Sequence, residues 1–349
     1  MTQSALTIVN VGDFPTGLRS NTQYSIQIKL SNGFTRLGHL VLNFSDRDMA
    51  RARSWLKSRK LGRRAVNTAL IEFCRHHRPD LMFLGHADMI NPQTLDIIRE
   101  SLPHLRIAQW NADPLFEPDN VRRIRAKLAQ IDVTFITTAG EPLALMREGG
   151  RYAMSFMPNP ADPSIERGRA DLIRDLPYDL FYACGNPRVP LRTICGKQWD
   201  MDRFIAMLAE HLPQLRMKLA GLQGMPHLNS TNYMQNVSAS AIGLNISRRA
   251  DHFLYSSDRL AQLAGNGTLV AIERQTGYDT YFEEDEMLFF ATQEELEEKL
   301  ARLAAEPATR MRMAGAGRAR YFARFNEQAV AAHLIAVLLQ ERAPEDMPW

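Results

Sequence analysis

Short apolar runs recur along the chain, each followed by a longer segment with helical spacing, and this alternation marks βαβ units that close parallel sheets. In the first half the runs fall at residues 6–11, 39–44, 80–85, 105–110, 132–137 and 153–157, with helical segments at 23–37, 51–77, 92–101, 120–130 and 141–148 between them. The runs are continuous in Val, Ile, Leu and Phe rather than alternating, which predicts a sheet covered by helices on both faces. A proline-punctuated break, Pro158-Asn159-Pro160-Ala161-Asp162-Pro163, is followed by a charged stretch. A second series then begins, with strands at 179–183, 215–220, 242–246, 268–272 and 287–290 and helices at 201–211, 257–264, 293–305, 308–325 and 327–340. A chain of 349 residues exceeds what one core organises, so two doubly wound Rossmann-like α/β domains are expected. We expect them at 1–160 and 176–325, joined by a connection at 161–175. Residues 326–349 carry an apolar stripe, Val330, Leu334, Val337 and Leu338, and should return to the first domain.

Charge narrows the function classes. The 42 Lys and Arg against 39 Asp and Glu leave a net charge of +3, too even for a nucleic-acid binder. One local exception is the run Arg51, Arg53, Lys57, Arg59, Lys60, Arg63, Arg64, which reads as a solvated helix face and loop, with an anion or peripheral membrane contact as the alternative. Three cysteines without a CxxC pair fit a reducing, cytoplasmic setting. The first residues lack the basic and apolar regions of a signal peptide, and no run is long enough to span a bilayer.

In open parallel sheets ligands bind beyond the carboxyl ends of the strands, so those positions are the candidates. Gly12 and Asp13 follow the first strand, in a turn that lets backbone amides approach an anion; an ordinary βα turn capped by Ser20 or Asn21 is the alternative. It is not a GxGxxG, which disfavours a dinucleotide cofactor. Gly85-His86-Ala87-Asp88 after the third strand offers His86 or Asp88 as a general base, or a structural histidine. Trp110-Asn111-Ala112-Asp113-Pro114 joins an aromatic ring, an amide and a carboxylate, a set suited to sugar recognition. Asp113 is the first choice as base, unless it only shapes the turn before Pro114. In the second half Gly185 and Asn186 follow the first strand, with Arg188 and Arg192 beyond. Asn245 ends a later strand, and Ser257, Asp258 and Arg259 are expected in the first turn of the next helix, as a diphosphate cradle. The nine histidines form no compact metal-ligand pattern.

Taken in order, these elements resemble the CgeB-type (spore-maturation-protein-like) glycosyltransferases, a bacterial branch of the GT-B superfamily. The likeness rests on Val11-Gly12-Asp13, Arg78-Pro79-Asp80, Trp110 to Asp113, Pro158-Asn159-Pro160, Gly185-Asn186 and Gly243-Leu244-Asn245-Ile246-Ser247-Arg248. The helix from Arg259 to Gly267, Tyr281-Phe282, Glu294-Glu295-Leu296 and Arg310, Ala314, Gly317 complete it. The resemblance implies two Rossmann-like domains facing across a cleft and a metal-independent transferase without cofactor. Its donor is a nucleotide sugar, UDP-linked by preference, and its acceptor a glycan, lipid-linked or protein hydroxyl of the bacterial cell surface. Gly12, Gly185, Asn186, Arg188, Asn245, Ser257, Arg259 and Gln262 would hold the donor, and Asp113, His86, Asp88 or Asp13 would supply the base. One departure stands out. Many relatives carry a glutamate three residues after the helix arginine, where this chain has Gln262, which forfeits a charge-assisted bond to the donor ribose. That change is the best argument for the main alternative, a non-catalytic nucleotide-sugar or glycan binding protein that kept the fold; another two-lobed sugar-nucleotide enzyme, such as an epimerase, is a third possibility.

Overall fold

A computed structural model describes residues 5–14, 24–185 and 190–349. By contacts the chain divides into two units, Met1–Pro160 with Glu327–Pro348, and Ala161–Asn326 with Trp349. In the first unit the strands are β1 (Thr7–Gly12), β2 (Leu40–Ser45), β3 (Leu81–Gly85), β4 (Arg106–Asn111), β5 (Val133–Ile136) and β6 (Met154–Phe156). They form one sheet in the order β2-β1-β3-β4-β5-β6, every pairing parallel. Strand β3 is buried along its whole length, as a strand covered on both faces requires.

The second unit holds β7 (Tyr178–Ala183), β8 (Leu191–Ile194), β9 (Lys197–Asp200), β10 (Met217–Ala220), β11 (Ser240–Leu244), β12 (Leu269–Glu273) and β13 (Leu288–Phe290). Its parallel sheet runs β10-β7-β11-β12-β13, and β8 and β9 pair as an antiparallel hairpin outside it. The hairpin and the helix Ser230–Ser238 were not expected from sequence.

Two further departures have physical causes. The helix expected over 51–77 is two, Asp46–Ala52 and Arg59–His77, separated by a turn in which Lys57 takes φ 52°. They cross closely because Gly62 has no side chain: a Cβ there would lie 1.8 Å from the Ala50 carbonyl oxygen. Residues 161–175, expected as a connection, are built into the second unit. Asp162 and Glu166 are fully buried, and Arg310 donates to the carbonyls of Ala170, Ile173 and Arg174 at 2.9 Å each. The helix Glu327–Leu338 packs against Ile26–Arg36 in the first unit, where a Cβ on Gly33 would meet the Glu327 carbonyl oxygen at 2.2 Å.

Candidate functional site

Strand order reverses between β1 and β3 in the first unit and between β7 and β11 in the second, and such reversals are where open parallel sheets take ligands. Gly12 and Gly85 end the first pair. A Cβ on Gly12 would lie 2.1 Å from the Gln27 amide, and one on Gly85 2.4 Å from the Trp110 ring. Both glycines therefore make room for the protein's own side chains.

Beyond β3, His86 and Ala87 adopt φ of 56° and 38°, a conformation that costs a non-glycine residue about 1–3 kcal/mol. Buried Lys127 donates to both of their carbonyls, at 3.1 and 3.0 Å, which holds the pair in place. The His86 ring stands edge-on to Trp110 with centroids 5.7 Å apart. Its Nδ1 is 3.8 Å from an Asp113 carboxylate oxygen and 3.5 Å from Asn111 Nδ2. Burial lowers the pKa of His86, against the pull of the Asp113 and Asp88 charges, so the imidazole is neutral at pH 7. Asn111 Oδ1 accepts from the Asp113 amide at 2.9 Å and fixes the loop that carries the carboxylate.

The carboxylates are not free of cations. Arg123 pairs with Asp113 at 3.1 Å, and Arg47 pairs with both Asp13 and Asp88 at 3.0 Å. Burial pushes the Asp88 carboxyl up, but His86 and Arg47 outweigh it and leave it below its ordinary value. A small hollow lined by His86, Asp88, Gln109, Trp110, Asn111, Arg123 and Ile124 opens beside this cluster. Sequence reasoning missed Arg47, Arg123 and Lys127. Arg47 stands two residues past β2, so the strand-end rule could have found it; nothing in the sequence marks Lys127.

In the second unit Gly185 follows β7, and a Cβ on it would meet nothing within 4 Å among the described residues. Asn186 and Arg188 lie outside the described residues. Arg192 turns inward, donating to the Leu191 carbonyl at 2.8 Å and to Cys184 Sγ at 3.7 Å. Asn245, directly after β11, donates from Nδ2 to Ser256 Oγ at 3.0 Å. Its Oδ1 is buried with no hydrogen-bond partner among the described residues, and so is Ser257 Oγ. The Arg259 guanidinium lies 4.8 Å over the Tyr182 ring, and its Nη1 donates to the Ile246 carbonyl at 3.0 Å. Gln262 donates to Asp258 Oδ2 at 2.8 Å. The helix is only Arg259–Gly265, so Ser257 precedes it instead of standing in its first turn, and a seven-residue helix contributes little dipole. What gathers here is a set of side chains: Asn245, Ser257, Arg259 and Gln262. Among the described residues no group of three or more His, Cys, Asp or Glu could hold a metal ion, and no helix is long and apolar enough to cross a membrane.

This fold and these strand-end sites define a class. Residues 192–336, less than half of the chain, match the family model described as glycosyl transferase-like. Among solved structures the chain is similar to HepE of Anabaena in complex with UDP and glucose, at 11% identity and TM-score 0.53, covering 96% of this chain and 100% of that one. It is similar also to a UDP-forming α,α-trehalose-phosphate synthase from Burkholderia xenovorans, at 12% identity and TM-score 0.56, covering 96% and 99%. A glycosyltransferase from Rickettsia africae aligns at 10% identity and TM-score 0.55, covering 97% and 99%. No curated protein matches the sequence. The fold is that of the GT-B glycosyltransferases, two Rossmann-like domains, and the second unit carries most of the glycosyl transferase-like match.

Proposed function

We propose that this protein is a glycosyltransferase that takes a sugar from a nucleotide donor, UDP-linked by preference, and passes it to an acceptor hydroxyl. The observation that carries the reading is the cluster after β11, where two buried polar atoms, Asn245 Oδ1 and Ser257 Oγ, lack partners among the described residues, beside a half-held guanidinium. A buried polar atom without a partner costs about 1–3 kcal/mol, so such a pair is retained most economically where a ligand supplies the bonds. Arg259, with one N–H on Ile246 and its plane on Tyr182, is preset to present its remaining donors to a diphosphate. Gln262, one turn further, and Gly185, at the end of the neighbouring β7, complete the donor set, with Asn186 and Arg188 as its further members.

In the first unit the geometry supports His86, rather than Asp113, as the base for the acceptor hydroxyl. A neutral imidazole can take the proton, and the Asp113 carboxylate, 3.8 Å from Nδ1, would stabilise the imidazolium that forms. Asp13 and Asp88 share Arg47 and are better suited to positioning. The motif series from Val11 to Gly317 supports the CgeB-type branch, a bacterial cell-surface glycan or protein as acceptor, and metal-independent action in the cytoplasm. The test is incubation of the purified chain with a panel of nucleotide sugars, following nucleoside diphosphate release. Release with one donor, lowered about 10²–10⁴-fold by His86→Gln at unchanged donor affinity, is expected. Donor binding without release would identify a binding protein instead, and epimerised free donor an epimerase.

A further inference from the structure

The turn between the helices Asp46–Ala52 and Arg59–His77 exposes what proteins normally cover. Trp55 is 89% exposed, Leu56 57% and Leu61 61%. Around them, residues 51–64 contain seven Arg and Lys and no Asp or Glu. The display is built into the fold. Ser54 is buried beneath the turn; its carbonyl accepts from the Lys57 amide at 2.8 Å and its hydroxyl from the Ser58 amide at 3.3 Å. Gly62 locks the following helix against Ala50, so the tip is held with Trp55 and Leu56 outermost.

We propose that this turn docks the first unit on an anionic lipid surface, with Trp55 and Leu56 seated at headgroup level and the surrounding cations on lipid phosphates. Charge complementarity selects the lipid: an apolar tip in a collar of cations matches an interface that is apolar in depth and negative at its face. Tryptophan settles at that boundary because its ring is apolar with one polar edge. A nucleic acid would use the cations but would leave two leucines exposed, and the near-even total charge of +3 does not favour one. The same segment connects to the candidate base cluster, since Arg47 precedes the turn and Arg63 donates to the Asp88 carbonyl at 3.4 Å. Docking rests on the patch alone and does not require the transferase reading.

The experiment is vesicle sedimentation of the full chain, with phosphatidylcholine alone and with phosphatidylglycerol mixed in. Binding to the mixed vesicles only, weakened by added salt, is expected. Trp55→Ser with Leu56→Ser, and separately Lys57→Glu with Lys60→Glu, should each weaken it about tenfold or more while leaving the melting transition in place. Lipids with brominated chains should quench tryptophan emission, and Trp55→Phe should remove the quenching while the protein still sediments. Absence of binding to mixed vesicles overturns the proposal. So does binding that ignores Trp55 and Leu56 and is matched by a single-stranded RNA, which would make the patch a general polyanion surface.

Discussion

Replacing Arg259 by alanine separates the donor site from its surroundings, and the size of the effect follows from the contacts. One N–H is committed to the Ile246 carbonyl and the plane lies on Tyr182, so the rest of the fork is what a diphosphate would receive. A hydrogen bond to a charged group contributes about 1.5–3 kcal/mol, and each 1.4 kcal/mol is tenfold in affinity, so one such bond predicts a loss of about 10–150-fold. Removing the side chain also forfeits the cation–π contact, about 1–2 kcal/mol when partly buried, which lowers stability without bearing on the ligand. Titration calorimetry with the nucleoside diphosphate, well below the melting temperature, reads the first effect, and thermal unfolding reads the second. Arg259→Lys keeps the charge but not the fork and should fall between wild type and alanine. Arg249→Ala is the control: it pairs with the exposed Asp251, and a surface pair of this kind is worth about 0–1 kcal/mol. A folded Arg259→Ala protein with affinity within about twofold of wild type would refute the diphosphate assignment.

Gly85→Ala should destabilise the first unit by about 1–3 kcal/mol, because the new methyl would overlap the Trp110 ring and the Gln27 amide; denaturant melts matching wild type would show that the space is not needed. A pH effect is expected from His333, which is fully buried with Nε2 3.0 Å from Ser155 Oγ and Nδ1 3.1 Å from Arg342, and whose pKa burial pushes down to about 4. Above about pH 6.5 the residue is neutral folded and unfolded, and its contribution is fully present. Below that the unfolded chain takes a proton that the folded one refuses, so about 3 kcal/mol is lost by pH 4. His333→Gln should flatten this part of the stability profile, and an unchanged slope in acid unfolding curves would count against it.

How far a sequence can be read here depends on the range of the interaction concerned. The parallel sheets were legible because β3, β11 and β12 are mostly apolar and buried along their length, a local pattern with a direct cause in two-sided burial. The four-residue strands β8 and β9 were not, since Leu191–Ile194 is too short and mixed to show a period. Residues 161–175 read as a polar connection because their charges mark solvent exposure by default. In the fold Glu166 accepts the Asp162 amide at 2.7 Å and Arg310, well over a hundred residues away, satisfies three carbonyls there. The same limit applies to the choice of base. Strand ends located His86, Asp88, Asp13 and Asp113 but could not say which cation each would meet. Arg47 arrives from the end of β2 and takes two of the carboxylates, and Arg123 arrives from the helix Pro118–Arg125 and takes the third. Against burial, the neighbouring His86 and Arg47 hold Asp88 below its ordinary pKa. The imidazole is the one of the four that burial keeps neutral and ready to accept, which is why geometry moves the proposed base from Asp113 to His86.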